Sequence, residues 1–173
     1  RYRSGKVQGA AINHYVTMSD EELYQLPVAE IAADNSILLL WATFPKLSEA
    51  LRLIEAWGFQ YKTVGFVWVK TNPSGNGFFL GLGWWTRSNA EICLLAVRGK
   101  PKRQCAGISQ LIISPRERHS KKPDIVRDLA VTLVGDVPRI ELFAREISPG
   151  WDVWGNEVDC SITLTQSEGD MHE

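Results

Sequence analysis

A mostly parallel, three-layer α/β domain, with helices on both faces of the sheet, is predicted by three features of the chain. The continuous apolar run Ser36-Ile-Leu-Leu-Leu-Trp-Ala-Thr43 has the length of a strand and the composition of one covered on both faces. A stretch of helical spacing follows, then the β-rich run Thr63-Val-Gly-Phe-Val-Trp-Val-Lys70, which makes one strand–helix–strand crossover and hence a parallel pair. A second helical pattern, Pro123 to Val134, comes after two further strands. At 173 residues the chain is one domain, long enough to bury a core.

Each element has a local reason. Residues 1–14 are polar and contain glycine, and read as a loop bearing Arg1, Arg3, Lys6, Gln8, Asn13 and His14. Ser19-Asp-Glu-Glu22 is a capping box, which predicts a short helix over 20–26 that ends before Pro27. Pro45 suits a first helical turn; Leu47, Ala50, Leu51, Ile54 and Trp57 then recur at helical spacing until Gly58 stops the helix. Asn89 to Val97 reads as a strand and Gln110 to Ile113 as a shorter one. In the 123–134 helix, Ile125, Leu129, Ala130 and Leu133 share a face, and Gly135 ends it. Arg139 to Glu157 reads as a short strand, a turn at Ser148-Pro149-Gly150, and a second strand running out at Gly155. No repeat or linker is evident. Residues 1–160 form the domain, and the tail from Ser161 is polar, acidic and expected to fray.

Composition narrows the function. Cys93, Cys105 and Cys160 are odd in number and lack paired short spacing, which argues against disulfides and zinc and fits a reducing, cytoplasmic setting. No apolar run is long enough to span a bilayer, and no signal peptide precedes the first strand, so no membrane association is expected. His14, His119 and His172 have no ligand spacing, so no metal is expected either. There is no Gly-x-Ser-x-Gly elbow and no P-loop; Gly81-Leu-Gly83 lacks the third glycine and the helix of a dinucleotide fingerprint. The formal charge of −1 makes the whole protein no magnet for nucleic acid. The chain opens on Arg1 rather than Met, which raises the expectation of a missing upstream segment.

Three regions carry candidate chemistry. Glu141, Arg145, Asn156 and Glu157 fall at the ends of the last two strands, where open α/β sheets bind ligands. They either face one ligand or are solvated strand ends. Residues 71–88 are too long for a plain connection and mix glycine with aromatics. Phe78, Phe79, Trp84 and Trp85 there either offer faces for a nucleobase or plug the edge of the core. Arg98 to Lys122 gathers Arg98, Lys100, Lys102, Arg103, Arg116, Arg118, Lys121 and Lys122 against the single acid Glu117. That is either a basic face for a phosphate backbone or a solvated loop. The residues alone lead to a small-molecule-binding α/β domain with a face suited to nucleic acid.

A resemblance goes further. His14-Tyr-Val-Thr-Met-Ser-Asp-Glu-Glu-Leu23, Leu38-Leu-Leu-Trp41, Val67-Trp-Val-Lys-Thr-Asn72, Asn89-Ala-Glu-Ile-Cys93, His119-Ser-Lys-Lys-Pro-Asp124, Arg139-Ile-Glu-Leu-Phe143 and Trp154-Gly-Asn-Glu157 occur in this order. Together they resemble the MT-A70 family of S-adenosylmethionine-dependent adenine-N6 methyltransferases, over about Tyr2 to Glu157. Ala144-Arg145 and Gly150-Trp-Asp-Val-Trp154 are most similar to its bacterial and phage branch. The resemblance implies a Rossmann-like methyltransferase fold in permuted order, the catalytic segment preceding the cofactor segment. It implies that Lys122 holds the cofactor carboxylate, Phe143 packs near the adenosine and Arg145 contacts the ribose region. Asn156 and Glu157 would bind the ribose hydroxyls, with Glu141 bracing the pocket. Tyr15 would lie by the reacting amino group, and Trp85, Arg87 and Glu91 at or beside the loop that meets the adenine. Lys102 and Arg103 belong to the basic face and would touch the nucleic acid.

One departure is large. The family's catalytic tetrapeptide, Asp-Pro-Pro-Trp, is absent from the chain; in relatives it sits immediately before the position of Arg1-Tyr2. It grips the adenine amino group, and positioning with electrostatics carries such a transfer, so this stretch alone is not expected to methylate. Ala144 stands where many relatives have glycine, a change expected to be tolerated. The resemblance thus implies an enzyme acting on adenine in nucleic acid, DNA before RNA, with the base flipped out or single-stranded. The alternative is an inactive methyltransferase-like subunit that binds nucleic acid or a catalytic partner, as a homo- or heterodimer. Retention of Lys122, Arg145, Asn156 and Glu157 favours the enzyme. A nicotinamide-dependent oxidoreductase lacks its glycine fingerprint here.

Overall fold

The computed structural model describes residues 17–117 and 121–164. Two short helices open it, α1 (Asp20–Tyr24) and α2 (Val28–Ile31), followed by β1 (Ser36–Ala42), a 3-10 turn at Phe44–Lys46 and α3 (Leu47–Ala56). Then come β2 (Gln60–Thr71), β3 (Ala90–Arg98), β4 (Leu111–Pro115), α4 (Ile125–Val134), β5 (Ile140–Leu142) and β6 (Asp152–Trp154). The capping box forms in both directions: Ser19 Oγ accepts from the Glu22 amide at 3.2 Å, and the Glu22 carboxylate accepts from the Ser19 amide at 2.6 Å. It starts a helix shorter than expected, and α2 was not anticipated. Pro45 lies in the 3-10 turn that leads into α3. Gly135 ends α4 with a positive φ, its amide donating to Val131.

The sheet corrects the expectation of mostly parallel pairing. Its strand order is β1-β3-β2-β4; β3 is antiparallel to both neighbours, and only β2 and β4 pair in parallel. The crossover through α3 does leave β1 and β2 pointing the same way, but β3 is inserted between them. The reason is in the connections. Between β2 and β3 the chain has no helix, and a connection without a crossover returns antiparallel. β3 takes the centre because both its faces are apolar, with Ile92, Cys93, Leu94 and Ala96 all buried. β5 and β6 form a separate parallel pair, Glu141 opposite Val153 and Leu142 opposite Trp154.

The alternation of β3 divides the core. Ile92, Leu94 and Ala96 pack with Ala50, Leu53, Ile54 and Trp57 of the α3 region, and Leu23, Tyr24 and Leu26 join them from the α1 side. Cys93 points the other way, packing with Phe66, Trp68, Ile112 and Val126 of α4. Helices therefore cover both faces. Trp57 is 2 % exposed, and its indole N–H donates to the Leu23 carbonyl at 2.9 Å, closing the α1–α2 segment onto α3. Burial pushes the Cys93 thiol up to about 12, so it is a core group rather than a nucleophile. No helix among the described residues is long and apolar enough to cross a membrane. Ser161, expected as the start of a frayed tail, is tied to β6: its amide donates to the Val153 carbonyl at 2.9 Å, and its hydroxyl accepts from the Val153 amide at 2.6 Å.

Candidate functional site

The three co-directional strands β1, β2 and β4 end on the same side of the sheet as the start of β3. On the α4 face these ends present Trp41, Lys70, Glu91 and Ser114, which the ladder registers bring side by side. Lys122 enters from the segment before α4. The Glu91 carboxylate, 13 % exposed, accepts from both Lys70 and Lys122. The Lys70 ammonium lies 4.9 Å from the Trp68 ring centre, and that of Lys122 lies 5.7 Å from Trp41. The two indoles meet edge to face at 6.3 Å. Burial works against ionising Glu91, but the charge and hydrogen bonds of Lys122 and Lys70 outweigh it and hold the carboxyl below its ordinary value. Lys122, expected on the cofactor side, and Glu91, expected on the adenine side, are thus in direct contact.

The ends of β5 and β6 form the second part. Phe143 follows β5 with φ 59°, a left-handed conformation that costs a bulky residue about 1–3 kcal/mol. It persists because the next residue is fixed: Ala144 is buried and its amide donates to the Trp154 carbonyl at 3.0 Å. The Phe143 ring stands edge-on to Trp154 at 5.3 Å and remains 43 % exposed. Arg145 Nε meets Glu157 Oε1 at 2.8 Å, joining the segment after β5 to the turn after β6. Asn156 is exposed in that same turn.

Gly155 makes this crossing possible, since a Cβ there would collide with the Ala144 carbonyl oxygen. Gly155→Ala is therefore expected to cost about 1–3 kcal/mol of stability, the usual range for forcing a tightly packed site. It should also displace Phe143 and Arg145; denaturant unfolding and a structure of the variant measure the two effects.

Glu141, expected to brace the cofactor pocket, is held by a partner the sequence did not reveal. Arg127 of α4 donates Nε and Nη2 to the Glu141 carboxylate at 2.7 and 3.3 Å, and Nη1 to Asp124 at 2.7 Å. Lys121 adds Asp124 at 2.8 Å and Glu146 at 3.8 Å. These pairs tie the segment carrying Lys122 to the segment carrying Phe143 and Arg145. An arginine one turn into a helix behind a strand was the available signal for Arg127.

The expected substrate side is open. Trp84 and Trp85 are each 93 % exposed; Phe78 and Arg87 are exposed too, so three of the four aromatics do not plug the core. Phe79 is half-buried, with the Arg116 guanidinium 4.2 Å from its ring centre. Lys102 and Arg103 are exposed. Three further described residues of the basic stretch are engaged within the fold. Arg98 donates to the Ala29 and Ala32 carbonyls at the end of α2, Lys121 faces three acids, and Lys122 faces Glu91. The fold supplies acids that the local count missed, so the basic face is smaller than the sequence suggested. Tyr15 and all three histidines lie outside the described residues.

The donor set suits a ligand with an anionic end and a vicinal diol. Two ammonium groups around one carboxylate leave a positive charge for an anion, while a carboxylate and an amide at Glu157 and Asn156 match a diol. The half-exposed Phe143 ring offers an apolar face between them in sequence.

Comparison with known proteins identifies the family. The MT-A70 family model matches residues 3–157. The type II methyltransferase M.MunI of Mycoplasma sp is 37% identical over 163 residues, covering 92% of this chain and 66% of that protein. The N(6)-adenosine-methyltransferase MT-A70-like protein of Drosophila melanogaster is 30% identical over 158 residues, 89% of this chain and 26% of the relative. The human N(6)-adenosine-methyltransferase catalytic subunit METTL3 is 29% identical over 149 residues, 84% of this chain and 25% of its own length. The chain thus spans less than two thirds of the relatives it matches. With a family match that runs from the third residue through the Trp154–Glu157 strand end, the chain belongs to the MT-A70 family.

Proposed function

We propose that the protein is an adenine-N6 methyltransferase that takes its methyl group from S-adenosylmethionine and acts on nucleic acid, DNA before RNA. The observation that carries this reading is the cluster at the ends of β5 and β6, where Arg145 pairs with Glu157 beside the left-handed Phe143. Bound there, the cofactor supplies a sulfonium-activated methyl group. Lys122 would hold its carboxylate, Asn156 and Glu157 its ribose hydroxyls, and Phe143 and Arg145 its adenosine side, with Glu141 as the brace. Tyr15 would sit by the amino group to be methylated, and Trp85, Arg87 and Glu91 near the base. Stacking on exposed indoles stabilises an unpaired base, and N6 is accessible only once the base leaves its pair. DNA is favoured because the Mycoplasma type II methyltransferase shares more identity over more of the chain than the adenosine-methyltransferases do.

The test uses the full-length protein, labelled S-adenosylmethionine, and adenine-containing DNA and RNA strands, with N6-methyladenine read by mass spectrometry. Methylated adenine in DNA supports the reading, and methylated RNA alone corrects its substrate. Cofactor and nucleic-acid binding without product would make the protein an inactive methyltransferase-like subunit. Changing Lys102 and Arg103 together to Glu is expected to weaken nucleic-acid binding and to lower its salt slope by about 2. Equal binding and slope in that variant would show these two cations to be solvated surface.

A further inference from the structure

The pair Glu91–Lys122 on its own is neutral, and a neutral pair attracts an anion weakly. The structure changes that balance with Lys70. Its ammonium contacts the second oxygen of the same carboxylate, so the niche carries two positive groups against one negative. Lys70 is as enclosed as Glu91, held beneath it in the sheet with its ammonium against the Trp68 ring, whereas Lys122 is the more open of the two cations. The geometry thus separates their tasks: Lys70 faces inward and Lys122 outward. Ser114, beside Lys70 in the β2–β4 ladder, has its hydroxyl oxygen buried without a hydrogen-bond partner, so this end of the sheet has further capacity for a polar group.

We propose that Lys70 is a positioning residue for the anionic end of the bound ligand. It compensates Glu91 from behind, which frees the charge of Lys122 for the incoming carboxylate. The acid does not thereby lose its grip on Lys122; it fixes where that ammonium sits while Lys70 cancels its charge. This rests on the reading of Lys122 as the cofactor-carboxylate residue and adds to it a residue that never touches the ligand. Lys70→Gln keeps a hydrogen-bond donor for Glu91 and removes the charge; Lys70→Arg keeps the charge.

The experiment is calorimetric titration of the full-length protein and both variants with two probes. S-adenosylhomocysteine carries the amino-acid arm, and 5′-methylthioadenosine has the same adenosine and thioether without it. In Lys70→Gln the affinity for S-adenosylhomocysteine is expected to fall about tenfold, the scale of one charge interaction in a half-enclosed site. The affinity for 5′-methylthioadenosine is expected to hold, which also shows that the variant is folded at the site. Lys70→Arg should restore most of the lost affinity. An equal loss for both probes would make Lys70 a scaffold residue, and no loss for either would remove it from the site; each overturns the proposal. Should Lys70→Gln fail to fold, Lys70→Arg decides, since an altered ratio of the two affinities with the charge kept would also contradict it. Wild-type protein that binds neither probe would instead overturn the cofactor reading itself.

Discussion

Replacing Trp57 with alanine is expected to lower the unfolding free energy by about 3–5 kcal/mol, the range for truncating a large core aromatic. The ring is 2 % exposed and packs among Leu53, Ile54 and Phe59 where α3 turns toward β2. Its loss would leave a cavity and remove the hydrogen bond to the Leu23 carbonyl, which fastens α1 to the body of the domain. That carbonyl would then have to find water. Guanidinium unfolding followed by circular dichroism measures the loss. A change below about 1 kcal/mol, the ordinary level for surface substitutions and mild ones, would mean that the α1–α3 contact contributes little.

Replacing Glu91 with alanine is the second large effect, and it acts through charge. Lys70 and Lys122 would be left facing one another between Trp41 and Trp68 without a counter-ion. Stranding buried charges costs about 3–5 kcal/mol when the site is fully enclosed. Lys122 is 31 % exposed and can turn to water, so about 2–3 kcal/mol is expected here. The effect should depend on pH. Because the folded carboxyl titrates below its ordinary value of 4.5, its contribution is fully present above that value and is lost as the pH falls through the folded one. The stability gap between wild type and Glu91→Ala should therefore be wide at pH 7 and shrink on acidification below about 4.5. Unfolding curves across that range check it; a gap independent of pH would show that the triad is held by packing rather than charge.

How much of this was written legibly in the chain differs from one element to the next. The helical spacing of Leu47 to Trp57 gave its element directly, because that period fits one backbone geometry, and the apolar run at Ser36–Ala42 gave its strand through length and composition. Strand direction was not legible in the same way. The β1–α3–β2 unit suggests a parallel sheet, while the helix-free connection before β3, which decides the centre of the sheet, reads in sequence as a binding loop and not as a hairpin return. The ends of β5 and β6 were readable from the charged residues beyond them, and Arg145 and Glu157 do meet. Lys70 and Arg127 were not readable, since each acquires its role from an acid far along the chain: Glu91 across the sheet and Glu141 across from a helix. The basic stretch was legible only in part, for the converse reason. A local count of charges cannot register the acids that folding brings against them.

One ligand is expected to lie across the strand ends, from Lys122 to the turn after β6. A crystal structure of the full-length protein with S-adenosylhomocysteine measures it directly. The expected result has the ribose hydroxyls on Asn156 and Glu157, the adenine beside Phe143, and the carboxylate at Lys122. Ligand bound elsewhere, with Asn156 and Glu157 facing solvent and Lys122 still engaged only by Glu91, would contradict it.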